Sequence, residues 1–162
     1  MLKTFFLLYG LLFLPLSSVL AQEHFAPTFS LAELSGEREV SLNDFRGKVI
    51  YLDFWASWCG PCRQSLPALN DLHREFEGKD FEVVAINLDE EAEDALRFLS
   101  QYPVDYTVLV DRTGATPRAY ELTGLPTSVL IDQRGVLVAS FEGFDPAHLK
   151  KLREAIAILL QE

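Results

Sequence analysis

Two apolar runs do most to restrict the fold. Residues 48–55 read K-V-I-Y-L-D-F-W and residues 81–88 read F-E-V-V-A-I-N-L. Runs this continuous are the pattern of strands buried on both faces. Between them Leu66, Leu69, Leu72, His73 and Phe76 recur at helical spacing, which predicts a helix over 61–76 ended by Gly78. The same reading predicts a small hairpin pairing 28–34 with 38–42, and a helix over 90–102 with Ala92, Ala95, Leu96 and Leu99 on one face. A strand over 106–110, a turn at 111–114 and a short helix over 116–122 follow. Strands 127–131 and 136–141 are joined by a tight turn, and a closing helix begins with Asp145 as its cap and Pro146 at its first position, running to about Leu160. After the lead-in the order is β-α-β-α-β-α-β-β-α. This is an α/β chain with a central mixed sheet and helices on both faces. Strand 48–55 should be central, with catalytic groups at its C-terminal end.

The 162 residues suit a single domain, and 49% hydrophobic content supplies a core without a disulfide framework. The N-terminus differs in kind. Lys3 precedes an almost wholly apolar stretch from Phe5 to Leu16, then Ser17, Ser18, Val19, Leu20 and Ala21. That is the layout of a signal peptide cleaved after Ala21, leaving a domain over 22–162. The alternative is a retained anchor over 4–21, close to the ~20 residues that span a bilayer. No cysteine lies near the cleavage point, which excludes a cysteine-linked lipid. The formal charge is −10, and because Lys3 is the sole charged residue of 1–21, the rest carries −11. Nucleic acid is disfavoured as a partner, since it is bound through Lys and Arg on phosphate. The acidic run Asp89, Glu90, Glu91 reads as a solvated helix start rather than a metal site.

Cys59 and Cys62 are the only cysteines, in W-A-S-W-C-G-P-C. A structural disulfide here would close too small a loop to constrain the unfolded chain much. A zinc site needs four ligands, and His24, His73 and His148 show no ligand spacing. A redox pair accounts for more. At a helix N-terminus, unpaired N–H groups and the helix dipole stabilise thiolate, and the first cysteine of such motifs has a pKa of roughly 3.5–7.5 against ~8.5 when free. Cys59 is expected at the exposed edge and Cys62 one turn in and shielded, with Pro61 fixing the first turn. One sulfur would then attack a substrate and the other resolve the mixed disulfide.

Two further positions fit. Asp53 interrupts the buried strand, where a carboxylate is costly and its pKa rises. It is a candidate proton acceptor for Cys62. Pro126, in L-P-T just before a strand, cannot give a ladder hydrogen bond. A cis bond there would turn the chain and leave the backbone of Leu125 free for an extended substrate.

D-F-W-A-S-W-C-G-P-C followed some sixty residues later by G-L-P-T resembles the thioredoxin superfamily. The signal-like start, A-P-T-F-S-L, S-L-N-D-F-R-G-K-V and the extra strand–helix before Gly124 resemble its secreted TlpA/ResA-type branch. The resemblance implies a thioredoxin-like fold with an N-terminal hairpin and an inserted strand–helix. It implies Cys59 as nucleophile, Cys62 as resolving cysteine, Pro126 as cis-proline and Trp58 as a packing residue. Trp58, Gly60, Pro61, Leu125 and Thr127 are the expected substrate contacts. Ser65 stands where many of that branch carry Glu, and Ala85 where thioredoxins often pair a Lys with the buried acid. Thr127 replaces the acidic residue that cytochrome c maturation reductases tend to have there.

The expected function is an extracytoplasmic thiol–disulfide reductase for protein disulfides, supplied by a membrane-bound thiol donor, with no cofactor and no metal. The alternatives are a disulfide oxidase or isomerase, and a metallochaperone-like client-binding module, for which no His or Met cluster is present. A peroxidase is disfavoured, because Ala56 occupies the position where Thr or Ser would stand.

Overall fold

The computed structural model describes residues 23–36 and 38–161. The expected signal peptide or anchor therefore lies outside the described residues. Seven strands form one mixed sheet: β1 (Ser30–Glu33), β2 (Glu39–Ser41), β3 (Val49–Trp55), β4 (Phe81–Asn87), β5 (Thr107–Val110), β6 (Thr127–Ile131) and β7 (Leu137–Glu142), in spatial order β2-β1-β5-β4-β3-β6-β7. The helices are α1 (Cys62–Glu75), α2 (Ala92–Gln101), α3 (Ala115–Ala119) and α4 (His148–Leu159). Strands β3, β4 and β5 run parallel, β6 lies antiparallel beside β3, and β7 lies antiparallel beside β6. The middle strand is thus β4. β3 is interior, between β4 and β6, because the terminal hairpin adds on its free edge. Among the described residues no helix is long and apolar enough to cross a membrane.

The two-residue period of β3 explains its continuous apolar run. Val49, Tyr51 and Trp55 face one core with Cys62, Leu66, Leu69 and Leu72 of α1, and with Leu152 and Ile156 of α4. Ile50, Leu52 and Phe54 face a second core. That core is closed by Phe29, Val40, Leu42 and Phe45 from the lead-in and hairpin, and by Tyr120 and Leu122 just beyond α3. Asp53 points to the α1 side by the same alternation and is fully buried.

Three helices differ from the sequence expectation. The buried face of α2 is Ala95 and Phe98, with Leu99 and Tyr102 partly covered, while Leu96 is exposed. Aromatic packing decides this: the Phe98 ring lies 5.2 Å from Trp55 and 4.8 Å from Tyr102. α3 stops at Ala119 rather than Leu122, because Glu121 takes a left-handed φ of 55°. α4 starts at His148, two residues late. Asp145 still accepts the Ala147 N–H at 2.9 Å through its carboxylate and the His148 N–H at 3.0 Å through its carbonyl.

Candidate active site

β3 ends at Trp55, and a six-residue loop delivers the cysteines to the start of α1. Cys59 and Cys62 form a disulfide, S–S 2.06 Å and Cα–Cα 5.4 Å. The loop already turns helically: Arg63 N–H reaches the Gly60 carbonyl, and Gln64 and Ser65 N–H groups both reach that of Pro61. Pro61 stands just before the helix rather than as its first residue, with the φ of −63° that its ring imposes.

The expected asymmetry of the sulfurs is smaller than the sequence suggests. Cys59 is 4% exposed and Cys62 0%. In the disulfide, Cys59 is drawn into the apolar cluster that holds Cys62 and Leu66, against which Leu125 packs. Gly60 and Pro61 are exposed. Trp58 is 70% exposed and so is not a packing residue. It offers a large apolar surface directly beside the pair.

The Leu125–Pro126 peptide bond is cis. Phe54 pairs with Thr127 and Asp53 with Ser128, so the turn before β6 lies next to the end of β3 and the cysteine loop. Pro126 is buried, and its carbonyl accepts the Gly143 N–H at 2.8 Å. Leu125 is half-buried, and among the described residues its N–H and carbonyl have no hydrogen-bond partner. Thr127 presents nothing outward. It is buried, and its hydroxyl donates to the Gly124 carbonyl at 2.8 Å.

Asp53 lies on the same face as the cysteines. Ala85 flanks it on β4 and Ser128 on β6. Ser128 Oγ donates to Asp53 Oδ1 at 2.6 Å, while among the described residues Oδ2 has no partner. Burial pushes the carboxyl up to about 7 from an ordinary 3.8, and the Ser128 hydrogen bond pulls against it. Among the described residues no cation offsets the burial: Ala85 stands opposite Asp53 on β4. Ser65 is buried and donates to the Cys62 carbonyl at 3.4 Å.

Asp89 is not the solvated helix start that its acidic run implied. It is 4% exposed. Its carboxylate accepts the Ser57 N–H and Ser57 hydroxyl at 3.0 and 2.9 Å, and the Asn87 side-chain amide at 2.8 Å. This latch ties the cysteine loop to the end of β4. Asp89→Ala strands three donors, each costing about 1–3 kcal/mol where buried. The variant is expected to melt several degrees lower, as calorimetry would read. An unchanged melt would mean that water replaces the carboxylate.

The Redoxin family matches residues 21–157. A protein of Bacillus thuringiensis subsp. konkukian named thiol-disulfide oxidoreductase ResA is 35% identical over 118 residues, covering 73% of this chain and 68% of its own. The thioredoxin-like protein YneN of Bacillus subtilis is 41% identical over 115 residues, covering 69% and 66%. Among solved structures, a candidate thiol:disulfide interchange protein DsbE from Chlorobium tepidum superposes with a TM-score of 0.81 at 46% identity, covering 87% of this chain and 99% of that one. The chain therefore belongs to the Redoxin family, has a thioredoxin-like fold, and is a thiol–disulfide oxidoreductase carrying a Cys59–Cys62 pair.

Proposed function

We propose that the chain reduces disulfides of protein clients outside the cytoplasm. Residues 1–21 export it as a cleaved signal, or hold it at the membrane if retained, leaving 22–162 as the working domain. The observation that carries the reductive direction is C-G-P-C above a buried, cation-free carboxylate at Asp53. The same dipeptide belongs to thioredoxin, whose potential is about −270 mV.

The dithiol form starts the cycle. Cys59 thiolate, at the positive end of α1, attacks one sulfur of a client disulfide. A Cys59–client S–S bond forms, the client bond breaks, and the other client sulfur leaves as a thiolate that takes a proton. Cys62 thiol then gives its proton to Asp53 and attacks the Cys59 sulfur. The client leaves as its second thiolate, and Asp53 returns the proton that neutralises it. The client gains two electrons and two protons, and the protein ends as the Cys59–Cys62 disulfide. A membrane-bound thiol donor restores the dithiol by the reverse exchange.

The client segment lies extended beside the turn at Pro126, where the Leu125 backbone can pair with it. Trp58, Gly60, Pro61 and Leu125 supply the contact surface. Thr127 contributes only by closing that turn.

The deciding experiment equilibrates the purified domain with glutathione or dithiothreitol buffers and reads the Cys59–Cys62 potential. A value near or below about −250 mV is expected. A value above about −180 mV, in the isomerase and oxidase range, would overturn the reductive reading and make the protein a source of disulfides.

A further inference from the structure

We propose that Ser128 is the positioning residue for the buried acid: its hydroxyl holds one oxygen of Asp53, leaving the unpartnered oxygen to take the proton of Cys62. The inference rests on the proton-acceptor reading of Asp53 and names the group that prepares it.

The geometry is specific. Ser128 sits directly across the β3–β6 pairing from Asp53, and its Oγ lies 2.6 Å from Oδ1. Both residues are buried. A serine hydroxyl has one hydrogen to give, and an ionised carboxylate has none. Ser128 must therefore donate to Asp53 whenever Asp53 is charged. This one-way bond holds the carboxylate in one orientation.

Nothing else around Asp53 can do this. β4 offers the methyl of Ala85. The strand β5 side offers Tyr106, whose hydroxyl points to the Leu66 carbonyl at 3.4 Å. Helix α1 offers Cys62 and Ser65, and the Ser65 hydroxyl is spent on the Cys62 carbonyl. Burial pushes both Tyr51 and Tyr106 up, and the Asp53 charge raises each further, so both phenols stay neutral. The Ser128 hydroxyl is thus the one hydrogen bond favouring the carboxylate over the acid among the described residues.

Removing it has a definite sign. In Ser128→Ala the charged form loses its donor, so Asp53 titrates at a higher pH. Hydrogen bonds to charged groups carry enough free energy for a shift of about one pH unit. Less Asp53 is ionised at pH 7, and the proton transfer from Cys62 slows by up to ~10-fold there, recovering as pH rises.

The test uses the full chain. Carbon-13 NMR follows the Asp53 carboxyl in the disulfide form of wild type, Ser128→Ala, Ser128→Val and Ser128→Thr. Single-turnover reduction of a disulfide-bonded peptide follows the resolving step against pH. The expected result is a midpoint about one unit higher in Ser128→Ala and Ser128→Val with a rate profile displaced equally, and recovery in Ser128→Thr, which keeps the hydroxyl on a strand-compatible side chain. An unmoved midpoint in a folded Ser128→Ala, or a rate loss equal at every pH that Ser128→Thr does not restore, would overturn the proposal. If Ser128→Ala does not fold, the Ser128→Val and Ser128→Thr midpoints, one without and one with the hydroxyl, decide. Asp53→Asn separates the two levels: a profile unchanged in that variant defeats the proton-acceptor reading, whereas the NMR midpoint judges Ser128 alone.

Discussion

Cys62→Ser is expected to turn the protein into a trap, holding client as a mixed disulfide on Cys59 and losing turnover by about a thousand-fold or more. Cys59→Ser should lose the same turnover and form no adduct. This expectation follows from the proposed order of roles and from where the two cysteines lie. Cys62 is fully buried inside the first turn of α1, where a folded client cannot reach it. Cys59 lies in the loop before the helix, between exposed Trp58 and exposed Gly60. Its sulfur is covered in the disulfide, and in the proposed cycle it is the one that attacks once the bond is reduced. Mass spectrometry after mixing each reduced variant with a disulfide-bonded peptide reads the adduct directly. An adduct on Cys62 in Cys59→Ser, and none on Cys59 in Cys62→Ser, would reverse the assignment.

What was legible in the sequence shares one property: it depends on neighbours along the chain. The doubly buried run of β3, the C-G-P-C motif and the turn at Pro126 all follow from period, spacing or backbone chemistry. What was missed depends on pairs distant in sequence. Asp89 reads as one more acid in an acidic run, until the fold brings Ser57, 32 residues away, onto its carboxylate. Ser128 is unremarked in T-S-V-L-I because its partner Asp53 lies 75 residues earlier. A polar residue inside a strand apolar on both sides was the available signal. Leu96 fails for the opposite reason: its helical spacing assigns it inward, but Phe98 packs on Trp55 and leaves Leu96 outside. The packing role that the resemblance implied for Trp58 fails as well, because the loop before α1 leaves its side chain exposed.

Asp53→Asn is expected to make the oxidised protein more stable at neutral and alkaline pH while impairing catalysis. The acid ordinarily titrates at 3.8 and is raised to about 7 in the fold. Between those values the native state keeps a proton that the unfolded chain has lost, so stability falls as pH rises. The contribution of Asp53 to stability is therefore greatest below about pH 4, declines from there to about pH 7 and is flat above. The total decline attributable to this group is about 4 kcal/mol, from 1.36 kcal/mol per unit. Asn has no charge to bury, and its carbonyl can still accept from Ser128. The variant should lack the slope and, at pH 8, melt on the order of 10 °C higher. Catalysis moves the other way. Without an acceptor the Cys62 proton must leave to water in a dry core, and the resolving step should slow by about 10²–10⁴-fold. The structural reason for both effects is one carboxylate oxygen with no partner: it destabilises the fold because it is buried, and it can take a proton because nothing else holds it. Urea unfolding across pH 4–9 on both proteins provides the check. A wild-type stability that does not fall between pH 4 and 7, or an Asn variant that keeps the same slope, would show that Asp53 is not the titrating group.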